Sequence, residues 1–257
     1  MNTSDTGSSG SQVPSRSARC AVLSLLMLAP CWSWSGLALV WTGAGGSPNW
    51  STASNWSPGR LPADGDGIVF AGTPPGATNV VDLSVRLDSL SFDATAGAFR
   101  VHVAGDGGRT LAFDGPGIRS LDTLGTAIGR QTFFADAGSM GGTILFTNRS
   151  GINVGSAQLA RPVDITAQGG SAAGAIGGHI VFQDTSTTGD STFDVVRAAG
   201  ATAAGASGGE IIVRDNALLN RLVSVVAEGG SSSGAQGGRA TVVGQAQLSG
   251  GASIQAG

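Results

Sequence analysis

The amino-acid sequence predicts an all-β protein: a right-handed, single-stranded parallel β-helix (a solenoid) with an N-terminal cap. Three observations point there. Gly pairs that open a strand-like run recur at Gly141 and Gly142 (GGTILF), Gly177 and Gly178 (GGHIVF), Gly208 and Gly209 (GGEIIV), and Gly237 and Gly238 (GGRATV). A second run of β-formers follows, VDITAQGG, FDVVRAAG and VSVVAEGG, with Ile165, Val195, Val225 and Ile254 at matching places 30, 30 and 29 residues apart. The chain also holds 43 Gly in 257 residues, with no strict Gly-X-Y pattern that would suggest collagen. A fixed period in this range is the mark of a repeat architecture.

The period constrains the geometry. Each unit is too small to bury its own apolar face, so the face must be covered by the next unit. Residues two apart share a face of a strand. Ile144, Ile180, Ile211 and Ala240 therefore point the same way as Phe146, Phe182, Val213 and Val242. Turns stacked about 4.8 Å apart would line these up as internal ladders. Gly sits at the corners, where crowded or left-handed backbone costs it least. The right hand follows from the general crossover preference rather than from a particular residue.

Taken in order, residues 1–38 read as an export signal. Arg16 and Arg19 precede an apolar core at residues 21–29, and the segment GLA, with small residues at Gly36 and Ala38, allows cleavage near Ala38. A membrane anchor or a buried first strand would use the same apolar run, but Pro30 and the segment CWSWS argue against a stable span. Cleavage there would remove both cysteines, Cys20 and Cys31, and leave 12 Arg against 16 acidic residues. Residues 39–65 carry Trp41, Trp50 and Trp56 within sixteen residues. They fit a cap over the open end of the stack, where strand backbone and core would otherwise be exposed. The other reading of the tryptophans is an aromatic platform for sugar rings. Residues 66–257 form the β-helix. Its first turns, GIVF, SVRLDSLSFD, FRVHVAG and RTLAFDG, are less regular, and the clearest repeats of about 30 residues occupy 141–257.

The segment VWTGAGGSPNWSTASNW with LPADGDGIVF resembles the start of autotransporter passengers and related secreted repeat proteins of Gram-negative bacteria. LDSLSFD, RTLAFDGPGI and GRQTF continue that likeness, and GGHIVFQDTSTTGDSTFDV is similar to the family's Gly-Gly, Phe, Ser-Thr-x-Gly repeat. The resemblance covers residues 39–257 and implies a parallel β-helix that is released or held at the cell surface. Two features depart from it. RDNALLNRLVSVV replaces a small-residue corner, and no run of about 8 or more alternating strands offers the C-terminal membrane barrel of that family.

The search for chemistry gives no catalytic, cofactor-binding or metal residues, so the expectation is no enzyme and no cofactor. Of the only two histidines, His179 stands at the place held by Thr143, Glu210 and Arg239, which accepts any polar residue, and His102 sits between Val101 and Val103 and should face away from both. Asp64 and Asp66 in ADGDG fit a turn better than calcium, which takes about six to eight oxygen ligands. Asp184, Asp194 and Asp215 are the best carboxylate candidates for sugar chemistry, with Arg214 as a positive partner. Asp184 and Asp215 each lie six residues after a Gly pair, in the place held by Asn148 and Gly244 in other units, and Asp and Asn are common in turns. GGSAAGAIGG and GGSSSGAQGG lack the Lys and helix of a phosphate loop.

With a formal charge of −3 and no basic block, nucleic acid is not an expected partner. The expected function is a non-catalytic, secreted or outer-membrane-associated stalk that supports adhesion, a monomer that meets host or neighbouring-cell glycans or matrix. Membrane association would come only through further C-terminal sequence or an anchor. The alternatives are a β-helix polysaccharide lyase or hydrolase using Asp184, Asp215 and Arg214, and a carbohydrate-binding module using Trp50 and Trp56.

Overall fold

The structure is a computed structural model. It describes residues 38–73, 78–120, 129–152, 163–188, 195–220, 223–249 and 252–257. The export signal expected in residues 1–38, with Cys20 and Cys31, and the Asp194 candidate lie outside the described residues, apart from Ala38.

The chain winds as a right-handed parallel β-helix with three sides. The first side stacks residues 85–87, 110–113, Thr143–Phe146, His179–Phe182, Glu210–Val213 and Arg239–Val242, each parallel to the next. The third stacks Thr78–Val81, Arg100–Val103, Gln131–Ala135, Val163–Ala167, Val195–Ala198, Ser224–Ala227 and Ser253–Ala256 as a seven-stranded sheet. Between them, the second side runs from Leu39–Trp41 through Gly67–Phe70 to residues 89–92 and 117–120. It continues as bridges at Ile152 and Thr187 and as the short pair Leu218–Leu219 and Gln247–Leu248. Strands Val85–Phe92 and Thr110–Ser120 bend around the corner between the first two sides, which merges those sides into one nine-stranded sheet.

Alternation decides what faces inward. Leu111, Ile144, Ile180 and Ile211 stack as one fully buried column, and Phe113, Phe146, Phe182 and Val213 as the next. The register expected from the Gly pairs is the observed one. Burying a side chain of this size contributes about 1.5–3 kcal/mol, so the columns are the main source of stability. Leu145, Val181 and Ile212 point outward between them, and Val181 is nevertheless buried.

On the third side the expected register is off by one residue. Ile165 pairs with Val196, Val196 with Val225, and Val225 with Ile254, so the spacings are 31, 29 and 29. Val195 pairs with Asp164 and Ser224 and is half-buried on the outer face, opposite to Val225. In FDVVRAAG both central residues are Val, so the choice was open to either parity. A one-residue slip changes the face of every side chain in a strand. Here the inward position falls to the residue that leaves Arg197 outside and Ala198 inside.

The start of the stack is sealed by the Trp-rich segment. Leu39–Trp41 already lies in the parallel ladder, beside Gly67–Phe70. Trp56–Ser57 then covers its free edge by antiparallel pairing. The edge of Thr78–Val81 is occupied by the Pro48–Trp50 turn, which exchanges backbone hydrogen bonds with Val80. Trp41, Trp50 and Trp56 are all buried, with centroids 4.9 Å apart for Trp41–Trp56 and 5.1 Å for Trp50–Trp56, both edge to face. Trp50 Nε1 donates to Asn79 Oδ1 at 2.8 Å, and Trp56 Nε1 donates to the Trp50 carbonyl at 2.9 Å. Asn55 ties the turn from inside: its Nδ2 donates to the carbonyls of Ser47 and Asn49, and its Oδ1 accepts from Gly45 N–H.

Between the third side and the first, the Gly-rich segments form stacked loops. Each is closed at its neck by one backbone bond: Gly178 to Gln168, Gly209 to Ala199, and Gly238 to Glu228. Successive loops bond to each other, Thr202 N–H to Gly170 O and Ser231 N–H to Ala201 O on one limb, Ser207 N–H to Ala175 O and Gln236 N–H to Ala206 O on the other. Ala201 and Ala206 are fully buried between the limbs. A Cβ at Gly178 would lie 1.9 Å from the Ala135 carbonyl oxygen, so the neck admits only glycine.

Candidate functional site

The corner between the first and second sides holds the sequence's best carboxylate candidates. Each corner is a four-residue turn closed by a backbone bond: Ser150 N–H to Thr147 O, Ser186 N–H to Gln183 O, and Ala217 N–H to Arg214 O. The second residue of each turn has a left-handed backbone, with φ of 54° at Asn148, 57° at Asp184, 62° at Asp215 and 72° at Gly244. Asn, Asp and Gly are the residues that occupy this conformation at least cost. That shared requirement explains why these three residue types alternate at one place in the repeat.

The side chains link one turn to the previous one. Asp184 Oδ2 accepts from Asn148 N–H at 3.0 Å, and Asp215 Oδ2 accepts from Asp184 N–H at 3.3 Å. The Asn148 N–H lowers the Asp184 pKa below the ordinary carboxylate value, against a small opposing effect of burial. Arg214 donates to Gln183 Oε1 from the turn above, through Nε at 3.1 Å and through Nη2, and lies 4.0 Å from Asp215. The structure therefore brings Asp184, Asp215 and Arg214 together, as their spacing suggests. It uses them as corner capping groups.

Beside this column runs an open groove of about 630 Å³ lined by Asp114, Gly115, Asn148, Arg149, Asp184 and Thr185. Its polar lining of carboxylates, an amide, a hydroxyl and a guanidinium is the type that meets sugar hydroxyls, though it is shallow rather than enclosing.

The other candidates are in use as links. His102 Nδ1 lies 3.0 Å from Asp136 Oδ1, and its ring stacks on Phe134 with centroids 4.5 Å apart. His179 Nδ1 is 3.5 Å from Glu210 on the next turn, and Glu210 is 3.6 Å from Arg239 on the one after. Asp64 Oδ1 accepts from Arg86 N–H. Asp66 accepts both guanidinium nitrogens of Arg60, at 2.5 and 2.8 Å, and the Ala63 N–H at 2.8 Å. The Arg60 bonds lower its pKa, outweighing burial. Among the described residues, no three of His, Cys, Asp and Glu converge as metal ligands would. The platform reading of Trp50 and Trp56 is corrected: both rings are buried, 0% and 2% exposed, and present no face to a sugar.

Sequence reading missed the charged staples. Arg130 pairs with Asp164 and Arg197 with Glu228, each across one step of the third side. Their separations of 34 and 31 residues are close to the repeat length, which was the signal available. Compared with models of protein families, with curated proteins and with solved structures, the chain matches none.

Proposed function

We propose that the chain is a non-catalytic structural segment, a stalk-like passenger that is exported and supports adhesion at a cell surface. The observation that carries this reading is the corner column: the residues best suited to chemistry, Asp184 and Asp215, each have one carboxylate oxygen held by a backbone N–H of the adjacent turn. A carboxyl whose pKa is lowered, as at Asp184, is also poorly suited to serve as a general acid near neutral pH. Stacked turns give a stiff body with polar loops outside, which suits a scaffold. The export part of the reading rests on Arg16, Arg19, the apolar core and Gly36 to Ala38 in the sequence.

The test is incubation of the folded protein with a broad polysaccharide panel, alongside Asp184→Asn and Asp215→Asn. Asn holds the left-handed corner as well as Asp does, so these variants remove the carboxylate and keep the turn. No turnover by any of the three proteins is expected. Cleavage of one glycan, abolished by either substitution, would replace the structural reading with a polysaccharide lyase or hydrolase working in the corner groove. Adhesion is tested separately: beads coated with the folded protein should bind cells or matrix better than bare beads. N-terminal sequencing of protein recovered outside the cytoplasm should begin near Leu39.

A further inference from the structure

We propose that the stack has an internal stability boundary set by its last stacked phenylalanine: the turns through Phe182 hold as one unit, and those from Glu210 onward open from it turn by turn. The proposal rests on the fold and stands whether or not the stalk reading does.

The inward columns change character along the stack. On the first side one column runs Leu87, Phe113, Phe146, Phe182, Val213, Val242, and its neighbour Val85, Leu111, Ile144, Ile180, Ile211, Ala240. The rings of Phe113 and Phe146 stack at 5.3 Å and 18°, and those of Phe146 and Phe182 at 4.7 Å and 6°. Nearer the start, Phe70, Phe92, Phe99 and Phe133 form a second aromatic cluster that continues into the buried tryptophans. Among the described residues, no aromatic follows Phe182. The third side does not compensate, because its second inward column is Ala135, Ala167, Ala198, Ala227 and Ala256.

In a solenoid each turn touches only its neighbours, so local stability is a sum of local interfaces. An aromatic side chain buries roughly 150–250 Å² and gains further from ring stacking. The step from Phe182 to Val213 is therefore where ring stacking ends on the first side, and the following step adds the loss from Ile211 to Ala240. The corner ladder and the loop ladder continue across it without a break, so backbone bonding alone predicts no boundary there.

Hydrogen exchange with mass spectrometry on the full chain tests this. In the wild type, Thr143–Phe146 and His179–Phe182 should exchange slowly and together, with Glu210–Val213 and Arg239–Val242 faster by about tenfold or more. Phe182→Val should bring His179–Phe182 to the level of Glu210–Val213 while Thr143–Phe146 stays slow. Val213→Leu, a smaller change chosen to avoid overpacking, should slow Glu210–Val213 and keeps the test decisive if Phe182→Val does not fold. Equal protection across all these strands, or a boundary that stays in place in the variants, would overturn the proposal. Simple fraying at the end of the stack gives the second of those results.

Discussion

Val195 and Val196 carry the same side chain, and only one of them belongs to the core. Val196 is fully buried between Ile165 and Val225, whereas Val195 is half-buried on the outer face beside Asp164 and Ser224. Val196→Thr should lower unfolding free energy by about 1–3 kcal/mol, because it buries a hydroxyl among apolar side chains. Val195→Thr should change it by no more than about 0.5 kcal/mol. Urea denaturation of the two variants reads the difference, and a larger loss in Val195→Thr than in Val196→Thr would mean that the inward register is the one the 30-residue spacing suggests. The left-handed corners teach the same lesson at the level of one residue. Asp184 and Asp215, two of the carboxylate candidates in the sequence, share one backbone requirement with Asn148, φ between 54° and 62°.

Among the elements, the stacked Gly-rich loops are ordered ladders of their own. The turn pattern of Gly, Ala and Ser is explained by two different constraints within one loop. At the neck, Gly178 has the Ala135 carbonyl 1.9 Å from where a Cβ would stand. At the tip, Gly174 has open space and a φ of 77°. Gly178→Ala forces two turns apart and should cost about 4 kcal/mol or more, at the severe end of single substitutions. Gly174→Ala meets only backbone strain and should cost about 1–2 kcal/mol. Thermal unfolding of the pair separates close approach from backbone conformation, and similar losses would refute the assignment of the neck.

For the whole molecule, acid should weaken the stack. Asp66, held by Arg60, and Asp184, held by the Asn148 N–H, have pKa values lowered from the ordinary carboxylate value. A lowered pKa in the folded state means that the ionised form stabilises the fold. That contribution is complete above the unfolded-chain value of about 3.9 and is lost as pH falls through the lower folded values. The melting temperature should therefore be flat with respect to these groups above about pH 5 and drop below about pH 4. In Asp66→Asn the midpoint at neutral pH should be below that of the wild type and the acid-induced drop smaller. A variant whose drop matches the wild type would show that Asp66 takes no part. Both carboxylates are partly exposed, so the effect of each is modest.

The sequence by itself determined the parallel β-helix, the inward Ile and Phe columns of the first side and the place of the corners, because one period ties each strand to the same position in the next turn. Tertiary structure decided the rest. It chose Val196 over Val195, since both carry the same side chain and only the pairing with Ile165 and Val225 on adjacent turns selects the face. It buried Trp50 and Trp56, because the edges of Leu39–Trp41 and Thr78–Val81 needed partners that local sequence does not name. It also gave Asp184 and Asp215 their hydrogen-bond donors, because those N–H groups come from the turn before, more than thirty residues away in the chain.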